Sequence, residues 1–214
     1  SFKIKESKNI DTQPLVIKDV LLIGKNKNLM VSSLLAIIFQ VLTFTTVFGF
    51  TPIIAKDLGA SNFELGLLST LSTVPIIFAS FLSGTFFKDK IGIRQTIILG
   101  FVVSALSCMA VPLSSSLMML YITQIIGGFG RGVAFSLLMT FAIQDIESNK
   151  RATAMGFFQA IYGIGMFLGP GLVGVVSDLW GMEFAFMIIA ALGFLGAVIA
   201  KMYLGKRDHS TTGL

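Results

Sequence analysis

Apolar residues run along this chain in six long blocks, each closed by a short cluster of charge, glycine or serine. Backbone polar groups in lipid must be satisfied within their own segment, so a crossing takes about 20 mostly apolar residues wound as one helix. The blocks Leu29–Ile54, Phe63–Phe87, Thr96–Leu113, Leu117–Ile143, Ala152–Val176 and Phe184–Leu204 meet that requirement and predict six transmembrane helices. Ser61-Asn62-Phe63-Glu64 has the spacing of a capping box opening the second. Ahead of the first block, a polar, disordered leader and a short amphipathic helix at the headgroups over Leu15–Ile23 are expected. The predicted organisation is a cytoplasmic linker or interfacial segment over 1–27, a bundle over 28–204 and a cytoplasmic tail over 205–214.

Composition agrees with a lipid solvent: 54% of residues are hydrophobic and 13% charged, against about 25% charged in soluble domains. Mean hydropathy is +0.86. A single cysteine, Cys108, excludes an internal disulfide, and a single histidine, His209, lies in the polar tail. Zinc sites, haem ligation and Ser-His-Asp hydrolysis therefore lack their groups, and no enzyme activity, metal or cofactor is expected.

The net charge of +5 needs no nucleic-acid partner once its distribution is read. Lysines and arginines collect in cytoplasmic loops. Of the 16 basic residues, 14 lie before the first span, between spans two and three, between four and five, or after six; only Lys56 falls on the other side, and Arg131 lies within a span. Both termini are thus expected in the cytoplasm, in a multi-pass plasma-membrane protein whose basic loops attract anionic lipid headgroups. No signal peptide is expected, and the opening at Ser1 reads as that of a fragment.

The six spans also repeat weakly as three plus three. Spans one and four carry the buried amides Gln40 and Gln124, spans two and five carry Pro75 and Pro170, and spans three and six are plain. Such inverted repeats are common among secondary transporters. They predict an all-α, six-helix bundle in which the plain helices face lipid and the others line a central cavity.

Between spans two and three, Asp89-Lys90-Ile91-Gly92-Ile93-Arg94 resembles the D-[RK]-x-G-x-[RK] loop motif of the major facilitator superfamily; the family's glycine four residues before the aspartate is Thr85 here, with Gly84 one position earlier. The resemblance implies a conformational latch of Asp89, Lys90, Gly92 and Arg94, with Glu147 and Arg151 of the turn before span five as partners for Arg94 and Asp89. Span five, Gly163-Ile164-Gly165-Met166-Phe167-Leu168-Gly169-Pro170-Gly171-Leu172-Val173-Gly174, is similar to the glycine-proline pattern of the superfamily's exporters. It implies a closely packed, bendable gate helix built on Gly165, Gly169, Pro170 and Gly174. In span four, Gln124 to Gly132 resembles the R-x-x-x-G-x-G segment, with Gln124 in the arginine position. All six spans are covered, and the basic leader resembles the family's central linker, which implies the C-terminal half of a twelve-helix alternating-access transporter. Its partner is then the other six-helix half, or a second copy of this chain.

Arg131 falls near the middle of span four, where a charge costs at least about 2.5 kcal/mol. No Asp or Glu lies deep in any span, so its counter-charge is expected from the other half, from backbone carbonyls or from an anionic substrate group. It reads either as a substrate contact or as a structural arginine. Gln124, Gln40, Phe44, Gln159 and Tyr162 are further candidates to line the cavity, Gln40 and Gln159 reading individually first as interhelical hydrogen bonds. The expected function is efflux of a small, partly apolar organic molecule. Any proton coupling needs a carboxylate from the other half. The competing expectation is a six-span channel or half-size pore acting as a homodimer. The Asn-Pro of aquaporin half-helices and the Pro-x-[Asp/Glu]-x-x-[Lys/Arg] repeats of mitochondrial carriers do not occur.

Overall fold

A computed structural model describes residues 23–204; the leader, most of the Leu15–Ile23 segment and the tail lie outside them. Six helices within it are long and apolar enough to span a membrane: α1 (Lys27–Asp57), α2 (Asn62–Ile91), α3 (Ile93–Ala110), α4 (Leu117–Ile143), α5 (Arg151–Trp180) and α6 (Met182–Tyr203). Each start has a local cause. Asn26 and Ser116 accept the amides of Leu29 and Met119, and Ser61 with Glu64 forms the expected capping box, satisfying amides that have no intrahelical partner. Gly92 and Gly181, at φ +84° and +90°, let the chain reverse within one residue between α2 and α3 and between α5 and α6. Pro75 and Pro170 lie inside helices that continue through them.

The packing follows the repeat in exchanged form. α2 packs chiefly on α4, and α5 chiefly on α1, so each triple lends its second helix to the other. α1 and α4 touch each other at the centre, and α3 packs between α4 and α6. Within this six-helix unit, 44% and 39% of the best spanning windows of α3 and α6 are buried, against 17% in both α2 and α5. Alanine and glycine explain the pairing, because Gly193 sits against Ala105 and Gly196 against the Phe101 ring. An apolar helix meets another apolar helix as readily as it meets lipid, and close backbone approach decides between them.

Two apolar cores result. One gathers Leu29, Leu35, Phe39, Phe101, Leu138, Phe158 and Ala200; the other gathers Leu42, Leu68, Cys108, Leu120, Phe186 and Ile189. Between them along α1, α3 and α4 fall the buried polar residues Gln40, Ser104, Ser107, Thr123, Gln124 and Arg131. A polar layer therefore crosses the middle of the bundle.

Candidate functional site

The glycines of α4 create this layer. Gly128 and Gly132 lie on the α2 backbone at the carbonyls of Ser72 and Ile76, while Gly127 and Gly130 lie against Ser107, Ser104 and the Gly100 carbonyl of α3. With α4 clamped at backbone distance on two sides, a side chain at any of the four glycines would overlap its neighbours. Arg131 is the one long polar side chain in the stretch, and it is 6% exposed. Its Nη2 donates weakly to the Ser72 carbonyl at 3.5 Å, and its Nε has no partner. Carboxylates of the described residues stand at helix ends: Asp57, Glu64, Asp89, Asp145, Glu147, Asp178 and Glu183. Of the three sources of counter-charge, the structure supplies the backbone carbonyl, and a single weak one.

Gln124, 2% exposed, faces two spaces. One is a small chamber it shares with Arg131, Ser104, Ser107, Cys108 and Thr46. The other is a cleft of about 220 Å³ between α1 and α2, walled by Phe48, Pro52, Leu65, Leu68 and Ser69. Gln40 is buried on α1, and Gln159 is exposed on α5. Phe44 is half-buried, its ring 5.1 Å from that of Phe48, and Tyr162 is half-buried with its ring edge-on to Phe135 and Phe158 at 5.4 and 5.2 Å. The candidate cavity residues thus divide: Arg131, Gln124 and Gln40 lie inside the six-helix unit, and Gln159 lies on its surface.

The α5 pattern makes the close contact its letters imply. Gly165 lies on the Ile37 carbonyl of α1, Gly169 on the Val41 Cα and Thr45, and Gly174 comes nearest the Phe50 ring. Thr45 and Phe50 belong to a seven-residue π-helical stretch of α1, Phe44–Phe50. A second π turn, Ser83–Phe87, precedes the loop motif, and there the Lys88 amide bonds the Ser83 carbonyl five residues back. It coincides with the displaced glycine: Gly84 precedes Asp89 by five residues instead of four, and a π turn holds one residue more than an α turn.

The cross-partners expected for the latch do not form here. Glu147 pairs with Lys150 at 2.9 Å, Arg151 Nε donates to the Ile146 carbonyl at 3.1 Å, and Arg94 donates to the Lys201 carbonyl at the end of α6. Asp89 is exposed, and Lys90 Nζ lies 4.2 Å from the Phe86 ring centre. Glu147 and Arg151 take near neighbours in sequence because exposed pairs of long side chains gain too little to reach across loops, while Arg94 caps a helix end on α6. Sequence reasoning also missed a set of hydroxyls between α2 and α4: Ser80 donates to the Gly132 carbonyl, and the Ser83 and Ser136 hydroxyls bond at 2.6 Å. Ser72, Ser80 and Ser83 recur at helical spacing, which was the available signal.

A six-helix bundle with exchanged second helices and a polar waist defines a multi-pass membrane protein of the secondary-transporter type. The model of the Major Facilitator Superfamily matches residues 33–213, and the chain belongs to that family. It is 28% identical over 162 residues to the quinolone resistance protein NorA of Staphylococcus aureus, an alignment covering 75% of this chain and 41% of that protein. It is 26% identical over 188 residues to an uncharacterized MFS-type transporter of Methanocaldococcus jannaschii, covering 78% and 45%. The chain spans less than half the length of these relatives.

Proposed function

We propose that this chain is the C-terminal half of a twelve-helix exporter that moves a small, partly apolar organic molecule across the plasma membrane by alternating access, without chemical conversion. The observation that carries this reading is the exposure of α2 and α5, whose best spanning windows are only 17% buried. Their outer faces carry Val74, Ile77, Phe78 and Phe81 on α2 and Phe167, Leu168, Leu172 and Val175 on α5, all exposed. Two apolar wings flanking a central pair suit a unit that meets a second six-helix unit as well as lipid. The basic-residue count supports cytoplasmic termini.

In this reading Gln159, Phe44 and Tyr162 line the route on the α1–α5 side. Gln124 borders the α1–α2 cleft, and Arg131 acts from behind it, favouring a substrate with an anionic group through the field of a buried charge. Gly165, Gly169, Pro170 and Gly174 let α5 bend against α1, while Asp89, Lys90, Gly92, Arg94, Glu147 and Arg151 bias the cytoplasmic end between states. Relationship to a quinolone resistance protein makes a quinolone the first substrate to try. Counterflow of labelled quinolone into proteoliposomes bearing the intact protein tests the reading. Uptake above that of empty liposomes, reduced by Gln159→Ala, is expected. Electrogenic flux of inorganic ions with no counterflow of any organic solute would favour the pore instead.

A further inference from the structure

The chamber behind Gln124 is small and polar on one side. It is open to the centre of a water-sized sphere over about 10 Å³, about the room one water needs. Leu42, Val111 and the Cys108 side chain form its apolar wall. Three buried polar atoms on side chains that line it have no hydrogen-bond partner: Arg131 Nε, Gln124 Oε1 and Ser104 Oγ. Their residues are 6%, 2% and 4% exposed. Leaving one such group unpaired costs about 1–3 kcal/mol, and more where charge is involved, so three such atoms on side chains lining one space favour an occupant there.

The set also specifies the occupant's chemistry. Nε–H can only donate, Oε1 only accepts, and a serine hydroxyl does either. A halide could answer the donors but would leave Oε1 facing an anion; a metal cation would meet the guanidinium charge. Water both accepts and donates, and buried waters make about three hydrogen bonds.

We propose that one water molecule is bound in this chamber, accepting from Arg131 Nε–H, donating to Gln124 Oε1 and completing its set with the Ser104 hydroxyl. The water joins α3 to α4 through the polar layer and keeps the guanidinium solvated although it stands away from the cleft. Because Gln124 also lines the cleft, it separates this water from whatever the cleft holds.

Cys108 borders the chamber, is 3% exposed and is the single cysteine of the sequence, so it serves as a reporter. The test is X-ray hydroxyl-radical footprinting of the intact protein in lipid nanodiscs, reading oxidation of the peptide containing Cys108 by mass spectrometry. Radiolysis of a bound water oxidises its neighbours where it sits, whereas a polar maleimide added from bulk reports open access. The expected result is oxidation of Cys108 without maleimide labelling, with the oxidation lost in Gln124→Met and in Ser104→Ala, each checked for an unchanged elution profile. Absence of oxidation in the parent protein, or equal oxidation in both folded variants, overturns the proposal. A density map that shows ordered waters provides a measurement independent of the variants. A peak within hydrogen-bond distance of the three atoms is expected; an empty chamber, or a peak that vanishes in chloride-free buffer, overturns it.

Discussion

The repeat relates two contacts, α1 with α5 and α2 with α4, that are made in different ways. In the first, Gly165 and Gly169 lie directly on the α1 backbone, and Gly174 comes nearest the Phe50 ring. In the second, Gly128 and Gly132 lie on the α2 backbone in the same fashion, but Ser80, Ser83, Ser136 and Arg131 add hydrogen bonds across the seam. Close approach alone fixes distance and leaves sliding open. Directional bonds at several heights also fix register. The difference teaches that the α2–α4 seam is the fixed side of the unit and the α1–α5 seam, across which the described residues show no such hydrogen bonds, the adjustable one; a proline and a π stretch occur at each seam and do not set them apart.

The largest effect expected is steric and equal on both sides. Gly132→Val and Gly165→Val each press a side chain into a carbonyl, of Ile76 and Ile37 respectively, and should cost about 1–3 kcal/mol or more. Loss of monodisperse protein and a lower thermal midpoint would report it. Gly163→Ala and Gly171→Ala, whose added methyls meet nothing within 4 Å, should leave the midpoint in place. If Gly165→Val were as harmless as these controls, the α1–α5 seam would not be a backbone contact.

Next comes Arg131→Met, which removes a buried charge facing a single weak carbonyl partner. Since the charge costs at least about 2.5 kcal/mol at mid-membrane, thermal stability should hold or rise. Quinolone counterflow should fall, a split that a purely structural arginine would not give. Pro170→Ala, restoring a helix hydrogen bond on the adjustable side, should slow counterflow without lowering the midpoint; the equivalent Pro75→Ala should affect rate less. The smallest effect belongs to the hydroxyls: a double-mutant cycle of Ser83→Ala and Ser136→Ala should give a coupling of about 0.6 kcal/mol, measurable by thermal or denaturant unfolding. A value of zero would remove the register argument for the fixed side.

Helix number and position were legible because lipid imposes one rule on every crossing. The expected Leu117–Ile143 matches α4 at both ends, while α1 and α5 run several residues longer, since polar ends beyond the apolar run still complete helical turns. The α5 glycines were legible for a related reason: four-residue spacing reads directly as a close seam. The same spacing at Gly128 and Gly132, and the α2 serines, carried an equal signal that the family likeness of the segment obscured. The pairing of α3 with α6 and the local partners of Glu147 and Arg151 were not legible. Hydropathy does not distinguish a lipid-facing side from a helix-facing one, and exposed ion pairs are settled by loop geometry. For Arg131, depth in the span was legible but direction was not. Only packing shows that it turns into the unit.

The π turn at Ser83–Phe87 has an evolutionary consequence. In an unbroken α-helix one inserted residue turns everything after it by about 100°, which would carry Asp89 and Lys90 off their face. A local widening takes up the surplus and leaves the downstream face where it was. Lineages can therefore gain or lose a residue at this point without redesigning the cytoplasmic loop.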